Sequence, residues 1–230
     1  MRHAVLQILG LIMFLTFQNF TYVDWASVRL APINNLLREK HARELLGSQY
    51  GKIRKSFSLV AKDELNQSLH HLVKDNLDEK NLDLSLDISS SIIQESQKYN
   101  LDPLFVMAVI QTESKFNPEI IGSHGEIGLM QIKPDTAAWI VEKYKLDITN
   151  EINLKDPKVN IQIGTAYLSY LRTSFPKKPT RYIAAYNMGP RNVRKLTAQN
   201  KSPKDYPERV LGNYKQIYQQ VSDRSNRKDI

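Results

Sequence analysis

The sequence predicts a mainly α-helical protein, and three observations carry that prediction. Apolar residues recur at three- and four-residue intervals along most of the chain, the spacing of helices that bury one face. Asp102-Pro103 and Asp156-Pro157 each set a capping carboxylate before a residue preset for the first helical turn. No stretch shows the two-residue alternation of a half-buried strand, although residues 116–132 have room for a short hairpin.

Taken in order, residues 1–25 read as a signal peptide or membrane anchor. Arg2 supplies a positive start, and Ala4 to Phe17 is apolar except for Gln7. No small-residue cleavage pattern follows, and the run extended to Val23 reaches bilayer length. With Arg2 on the inner side, residues 4–23 fit an uncleaved anchor better than a cleaved signal. Residues 26–84 read as a helical spacer of two or three amphipathic helices, packing on the main domain or standing off from the membrane. Leu36, Leu37, Leu45, Leu46, Leu65, Leu69, Leu72 and Val73 keep helical spacing, and Gly47 and Gly51 punctuate it. This stretch carries no recognisable chemistry.

Residues 85–222 read as the main domain. Helices are expected over Ile88–Tyr99 with Asp87 or Ser89 as cap, from Pro103 past Glu113 to a stop at Asn117-Pro118, and from Pro134 to about Tyr144. Further helices are expected from Pro157 to near Phe175, from Thr180 through Ala185, and from Pro207 to about Val221. Residues 223–230 form a polar tail, expected to fray.

Composition narrows the function classes. The 230 residues are enough for one domain with a core. A formal net charge of +8 favours an anionic partner. No nucleic-acid module accompanies that charge, so a nucleic-acid partner is not expected. The absence of Cys excludes disulfides, a thiol nucleophile and a lipidated cysteine. The five His are scattered without ligand spacing, so neither metal nor cofactor is expected.

The informative stretch is Leu101 to Ile132. Leu104 to Ile110 is almost wholly apolar and reads as a buried helix. Glu113 follows Val106, Val109 and Ile110 by seven, four and three positions, which puts it on their face. Such a carboxyl is partly desolvated, its neutral form is favoured, and it suits general-acid work near neutral pH. A Glu at a helix end is more often simply solvated, and what changes the reading is its surroundings. Gly122, Gly125 and Gly128 follow in a loop that lets backbone approach a ligand closely.

Three ordered blocks carry a family likeness: Glu113-Ser114 with Phe116-Asn117-Pro118; Gly128-Leu129-Met130-Gln131-Ile132 with Pro134; and Ala184-Ala185-Tyr186-Asn187-Met188-Gly189-Pro190. Together they resemble the soluble lytic transglycosylase (SLT) domain, a lysozyme-like family that cleaves peptidoglycan. The likeness runs from about Ile88 to Gln220. It implies a lysozyme-like helical domain acting on glycan strands, without a cofactor. It implies that Glu113 is the single catalytic carboxyl, acting as acid and then as base, with a 1,6-anhydro sugar as product. Met130 and Gln131 would line the sugar cleft, Tyr186 and Asn187 would contact substrate, and Tyr206 would hydrogen-bond the carboxyl. Gly128 and Ser114 would support the site. Ser123 is a further substrate-contact candidate, although its spacing to Gly125 is one residue short of the family's pattern.

Glu119 and Glu126 lie near these blocks but not where the resemblance places a catalytic group. A hydrolytic muramidase, which needs a second carboxylate, and a non-catalytic peptidoglycan-binding scaffold are the alternatives. With the export segment, the likeness implies a periplasmic protein tethered to the inner membrane. A cell-envelope or secretion assembly as partner is left open.

Overall fold

The computed structural model describes residues 33–51, 62–148 and 151–228. The export or anchor segment and the middle of the spacer lie outside the described residues. Among the described residues no helix is long and apolar enough to cross a membrane.

Nine α-helices are present among the described residues: α1 Asn35–Leu46, α2 Lys62–Asn76, α3 Ser85–Lys98, α4 Pro103–Glu113, α5 Pro134–Tyr144, α6 Pro157–Ser174, α7 Pro179–Met188, α8 Pro190–Ala198 and α9 Asp205–Lys228. Helices α4 to α8 each carry a proline in the first turn, where its missing N–H costs nothing. Asp102 and Asp156 cap as their spacing predicts: Asp102 Oδ1 accepts from Leu104 N–H at 3.0 Å, and Asp156 Oδ1 accepts from Lys158 N–H at 2.8 Å. No named strand occurs among the described residues. The hairpin allowed within 116–132 is reduced to two isolated bridges, Ile121 with Ile127 and Ile127 with Ile132.

Helix α4 is the axis of the core, with every residue from Pro103 to Ile110 buried. Its most extensive partner is α9, and α3 packs against both α4 and α6. Helix α2 packs on α3 and α9 through Leu65, Leu69, Leu72 and Val73.

Helix α1 enters the same core through polar side chains. His41 is fully buried, and its Nδ1 accepts from Asp102 N–H at 2.9 Å. That bond leaves Nε2 to carry the proton and donate to Tyr182 Oη at 3.0 Å. Burial, helped by the Arg172 charge, pulls the His41 pKa well below its ordinary value, so the ring is neutral. Asp102 Oδ2 accepts from Tyr214 Oη at 2.6 Å. Arg38, also buried, donates to Tyr218 Oη at 3.3 Å. Glu44 receives Arg172 through Nε and Nη2, the shorter contact being 2.6 Å. Both described helices of the stretch read as a spacer are therefore built into the core. Helix α2 joins through the leucines that the apolar spacing marks, as helices packed on the main domain would; α1 joins through Arg38, His41 and Glu44, which that spacing does not mark.

The remaining differences lie at element ends. Helix α3 starts at Ser85, straight out of a 3-10 turn over Glu79–Leu84, with no side-chain cap from Asp87 or Ser89. Helix α7 starts on Pro179 rather than with a Thr180 cap, and it continues to Met188. Helix α8 has no counterpart in the sequence reading. Its polar composition leaves only Val193 buried. Helix α9 begins two residues before Pro207, and its backbone stays helical to Lys228, through most of the expected tail.

Replacing His41 with Ala strands the Asp102 N–H and the Tyr182 hydroxyl in the core and opens a cavity. We expect a loss of about 3 kcal/mol in urea unfolding at neutral pH. A loss below about 0.5 kcal/mol would show that α1 is not part of the cooperative core.

Candidate active site

Helix α4 delivers Glu113 to a cavity of about 450 Å³. The helix stops there because Lys115 and Phe116 take positive φ, 52° and 63°, which turns the chain sharply and drives the Phe116 ring into the core. Ser114 is the C-cap residue: its N–H and its hydroxyl both donate to the Ile110 carbonyl. In this arrangement it stabilises the helix end beside Glu113.

The glycine-containing loop returns over the carboxyl. Gly122 N–H donates to the Glu126 carbonyl at 2.7 Å. Gly128 has φ 79°, and a Cβ there would lie 2.2 Å from the Leu154 carbonyl oxygen, so a side chain is excluded on both counts. The loop is pinned from below by Asn160 of α6, which is wholly buried. Its Oδ1 accepts from Met130 N–H at 2.7 Å, and its Nδ2 donates to the carbonyls of Ile127 at 2.9 Å and Leu154 at 2.8 Å. The sequence reading missed Asn160. Its only signal is an amide next to Ile161 on the core-facing side of α6.

The candidate residues divide by position. Glu113, Ser123, Gln131, Tyr186 and Asn187 all line the cavity. Gln131 Nε2 donates to the carbonyls of Gly128 and Ile120, which fixes the amide's orientation and leaves Oε1 beside Gly122. Tyr186 Oη donates to the Met130 carbonyl at 2.8 Å, tying α7 to the loop. Asn187 is exposed at the rim, and Ser123 is exposed with its hydroxyl 3.0 Å from His124 Nδ1.

Met130 does not line the cavity as expected. Its side chain is fully buried over Gly164 of α6, where an added Cβ would meet the sulfur at 2.5 Å. Its contribution to the site is its backbone, held by Asn160 and Tyr186. Tyr206 is buried behind Glu113 rather than in the cavity wall, and its hydroxyl donates to Glu113 Oε1. Thr136, Lys133 and Tyr167 also line the cavity and were not singled out from the sequence.

The electrostatics separate two carboxyls that share this cavity. Burial pushes Glu113 up from 4.5 to about 7; the Tyr206 hydrogen bond and the Arg209 charge oppose the shift, and the Glu126 charge adds to it. Burial also opposes ionisation of Glu126, but hydrogen bonds from its own and the His124 N–H and the Lys133 ammonium at 3.3 Å outweigh it. Glu126 is held below the ordinary carboxylate value. One carboxyl thus keeps its proton near neutral pH while its neighbour is ionised, an arrangement suited to acid–base chemistry. Among the described residues no group of three His, Cys, Asp or Glu is placed to hold a metal ion.

Residues 90–208 match the family described as the Transglycosylase SLT domain, a little over half of the chain, and the protein belongs to that family. Among its relatives is the soluble lytic murein transglycosylase of Escherichia coli K12, 40% identical over 91 residues, which are 39% of this chain and 14% of that protein. Another is the membrane-bound lytic murein transglycosylase E of Buchnera aphidicola (subsp. Baizongia pistaciae), 42% identical over 79 residues, 34% of this chain and 37% of that one. The matches thus span about a seventh to a little over a third of these relatives. The structure of an inactive mutant of the lytic transglycosylase Slt of Pseudomonas aeruginosa superposes with a TM-score of 0.47 at 22% identity, covering 84% of this chain and 36% of that one. A 70-kDa soluble lytic transglycosylase in complex with bulgecin A gives 0.48 at 24%, covering 84% and 32%.

The Glu113 shift has a stability consequence with a definite sign. Below pH 4.5 the folded and unfolded chains both hold this proton. Between pH 4.5 and about 7 the unfolded chain releases it while the folded chain keeps it, so folded-state stability falls as pH rises through that window. Glu113→Gln has no such proton. The variant should gain on the parent by about 3 kcal/mol between pH 4 and pH 8, at roughly 1.4 kcal/mol per pKa unit. Parallel urea titrations at the two pH values check this, and a constant gap would contradict it.

Proposed function

We propose that the protein is a peptidoglycan lytic transglycosylase, cleaving the β-1,4 bond between N-acetylmuramic acid and N-acetylglucosamine. The observation that carries the reading is the Glu113 carboxyl, set in a cavity wall and still protonated near pH 7. In the first step Glu113 gives its proton to the glycosidic oxygen as the C1–O bond breaks, and the substrate's own N-acetyl group shields the positive charge developing at C1. In the second step the Glu113 carboxylate takes the proton from the muramyl C6 hydroxyl, whose oxygen bonds to C1. No water is consumed, and the product ends in a 1,6-anhydro ring. A pKa near the working pH serves both halves, because the group must first give and then recover one proton.

The surrounding groups fit supporting roles. Tyr206 orients the carboxyl and stabilises its anionic form between steps. Gln131 Oε1 and the Asn187 side chain offer polar contacts to acetamido and hydroxyl groups. Tyr186 and Tyr167 offer apolar ring faces to the sugars. The names of the relatives and the net charge of +8 agree with an anionic cell-wall polymer as substrate. The apolar segment over residues 4–23 supports export and an inner-membrane tether, with the enzyme working in the periplasm.

One observation favours a second reading, a hydrolytic muramidase. Glu126 lines the same cavity and is ionised, as a base for a water molecule must be. Its carboxylate is already engaged by Lys133 and the His124 N–H, and its lowered pKa makes it a weak base. The single-carboxyl route is therefore preferred.

Mass analysis of muropeptides released from purified sacculi decides between the two. The transglycosylase reading expects products lighter by one water than hydrolysis products, and exclusively reducing ends would overturn it. Glu113→Gln should lose activity by at least ~100-fold, the lower end of what positioned proton transfer contributes. Glu126→Gln should keep substantial activity. An equally inactive, folded Glu126→Gln variant would require the two-carboxylate route.

A further inference from the structure

Four aromatic rings run in an unbroken row from the cavity to the surface. Tyr186 and Tyr167 both line the cavity, with ring centroids 5.4 Å apart. Tyr167 stacks on Tyr170, one helical turn further along α6, at 6.3 Å and 13° between planes. Trp139 of α5 meets Tyr170 edge to face at 4.8 Å. Trp139 lies one turn beyond Thr136, another cavity residue. The row therefore continues the cavity floor along the seam between α5 and α6.

Helix packing does not account for the outer end of this row. Helix α5 contributes Ala137 and Ile140 to the buried core, whereas Trp139 stands to one side with 40% of its surface exposed. An indole left this open, continuous with a cavity, has the character of a binding surface. The Lys143 ammonium lies over both rings, 5.5 Å from the Trp139 centroid and 5.3 Å from Tyr170. It fixes the indole and sets a positive charge at the edge of the platform.

Given the glycan-cleaving role proposed for the cavity, on which this step rests, we infer that Tyr170, Trp139 and Lys143 form an outer glycan-binding platform that holds the strand beyond the cavity. The chemistry selects a saccharide chain. A pyranose presents a patch of C–H bonds on its face and hydroxyls around its rim, which suits a ring face bordered by polar groups. Where a muramic acid carries no stem peptide, its free lactyl carboxylate supplies the anion that Lys143 would meet. A platform of this kind gives affinity that grows with chain length and biases the enzyme towards long strands.

The protein carries two tryptophans, Trp25 and Trp139, so Trp25→Phe leaves Trp139 as the single indole reporter. In the full chain carrying Trp25→Phe and Glu113→Gln, uncharged β-1,4-linked N-acetylglucosamine oligomers are titrated from dimer to hexamer, following indole emission and heat of binding together. The expected result is a Trp139 emission change with the longer oligomers and little with the dimer. In the active enzyme, Trp139→Ala should raise KM for peptide-free glycan strands about 3- to 10-fold, the scale of one aromatic contact, with kcat changed less. Heat of binding without an emission change, an unchanged KM, or a Trp139 response to free stem peptide instead of sugar would each overturn the platform and leave the transglycosylase reading standing. An active enzyme that releases only reducing ends, or a folded protein that neither binds oligomers nor cleaves sacculi, would overturn that reading itself.

Discussion

Helix α4 runs through the core with Pro103 to Ile110 buried, and it ends on Glu113 in the wall of the cavity. The rest of the molecule is arranged around this one difficulty: a carboxyl held at the end of an apolar helix, largely out of water. Burial there favours the protonated form, and the fold moderates the effect without cancelling it. Tyr206 from α9 donates a hydrogen bond, and Arg209 one turn later adds a positive charge. The other end of α4 is secured just as deeply. Asp102 caps it while bonding Tyr214 of α9, and its backbone N–H is taken by His41 of α1. Both ends are thus tied to α9, which fixes the height of Glu113 in the cavity.

The loop over Glu113 meets a different constraint, an irregular backbone path whose polar groups must still be satisfied. Gly122 and Gly128 permit that path, and Asn160 satisfies three backbone groups that it would otherwise leave buried and unpaired. Glu126 belongs to this bracing: its carboxylate is held by the His124 N–H and by Lys133. The same contacts that keep the loop in place keep Glu126 ionised. Two carboxyls in one cavity therefore differ in charge because one faces apolar helix and the other faces donors.

Much of this was legible in the sequence where local rules decide the outcome. Asp102-Pro103, Asp156-Pro157 and Pro134 announced helix starts, and the spacing of Glu113 from Val106, Val109 and Ile110 announced a desolvated acid. The meeting of Glu113, Gln131, Tyr186 and Asn187 at one cavity followed the order of the resembling blocks rather than any periodicity. What remained hidden depends on groups that meet only in three dimensions. His41 and Arg38 look like the polar side of an ordinary surface helix until Asp102 and Tyr218 close around them. Asn160 looks like an interruption in α6. Met130 looks like a cleft residue, yet Gly164 opposite leaves room for it only inside the core. Trp139 is one apolar residue among several in α5, and its continuity with Tyr167 and Tyr170 appears only once α5 and α6 are packed.

Glu113 holds its proton to near neutral pH in the folded protein, and a direct titration of that one group is the sharpest test. Carbon-13 NMR of protein labelled at the glutamate side-chain carboxyl, with the Glu113 signal assigned by its loss in Glu113→Gln, would follow that single group from pH 3 to pH 9. The expected midpoint is near 7, more than two units above an ordinary glutamate. A midpoint near 4.5 would contradict it, because a Glu113 already ionised at working pH has no proton for the acid step proposed for it.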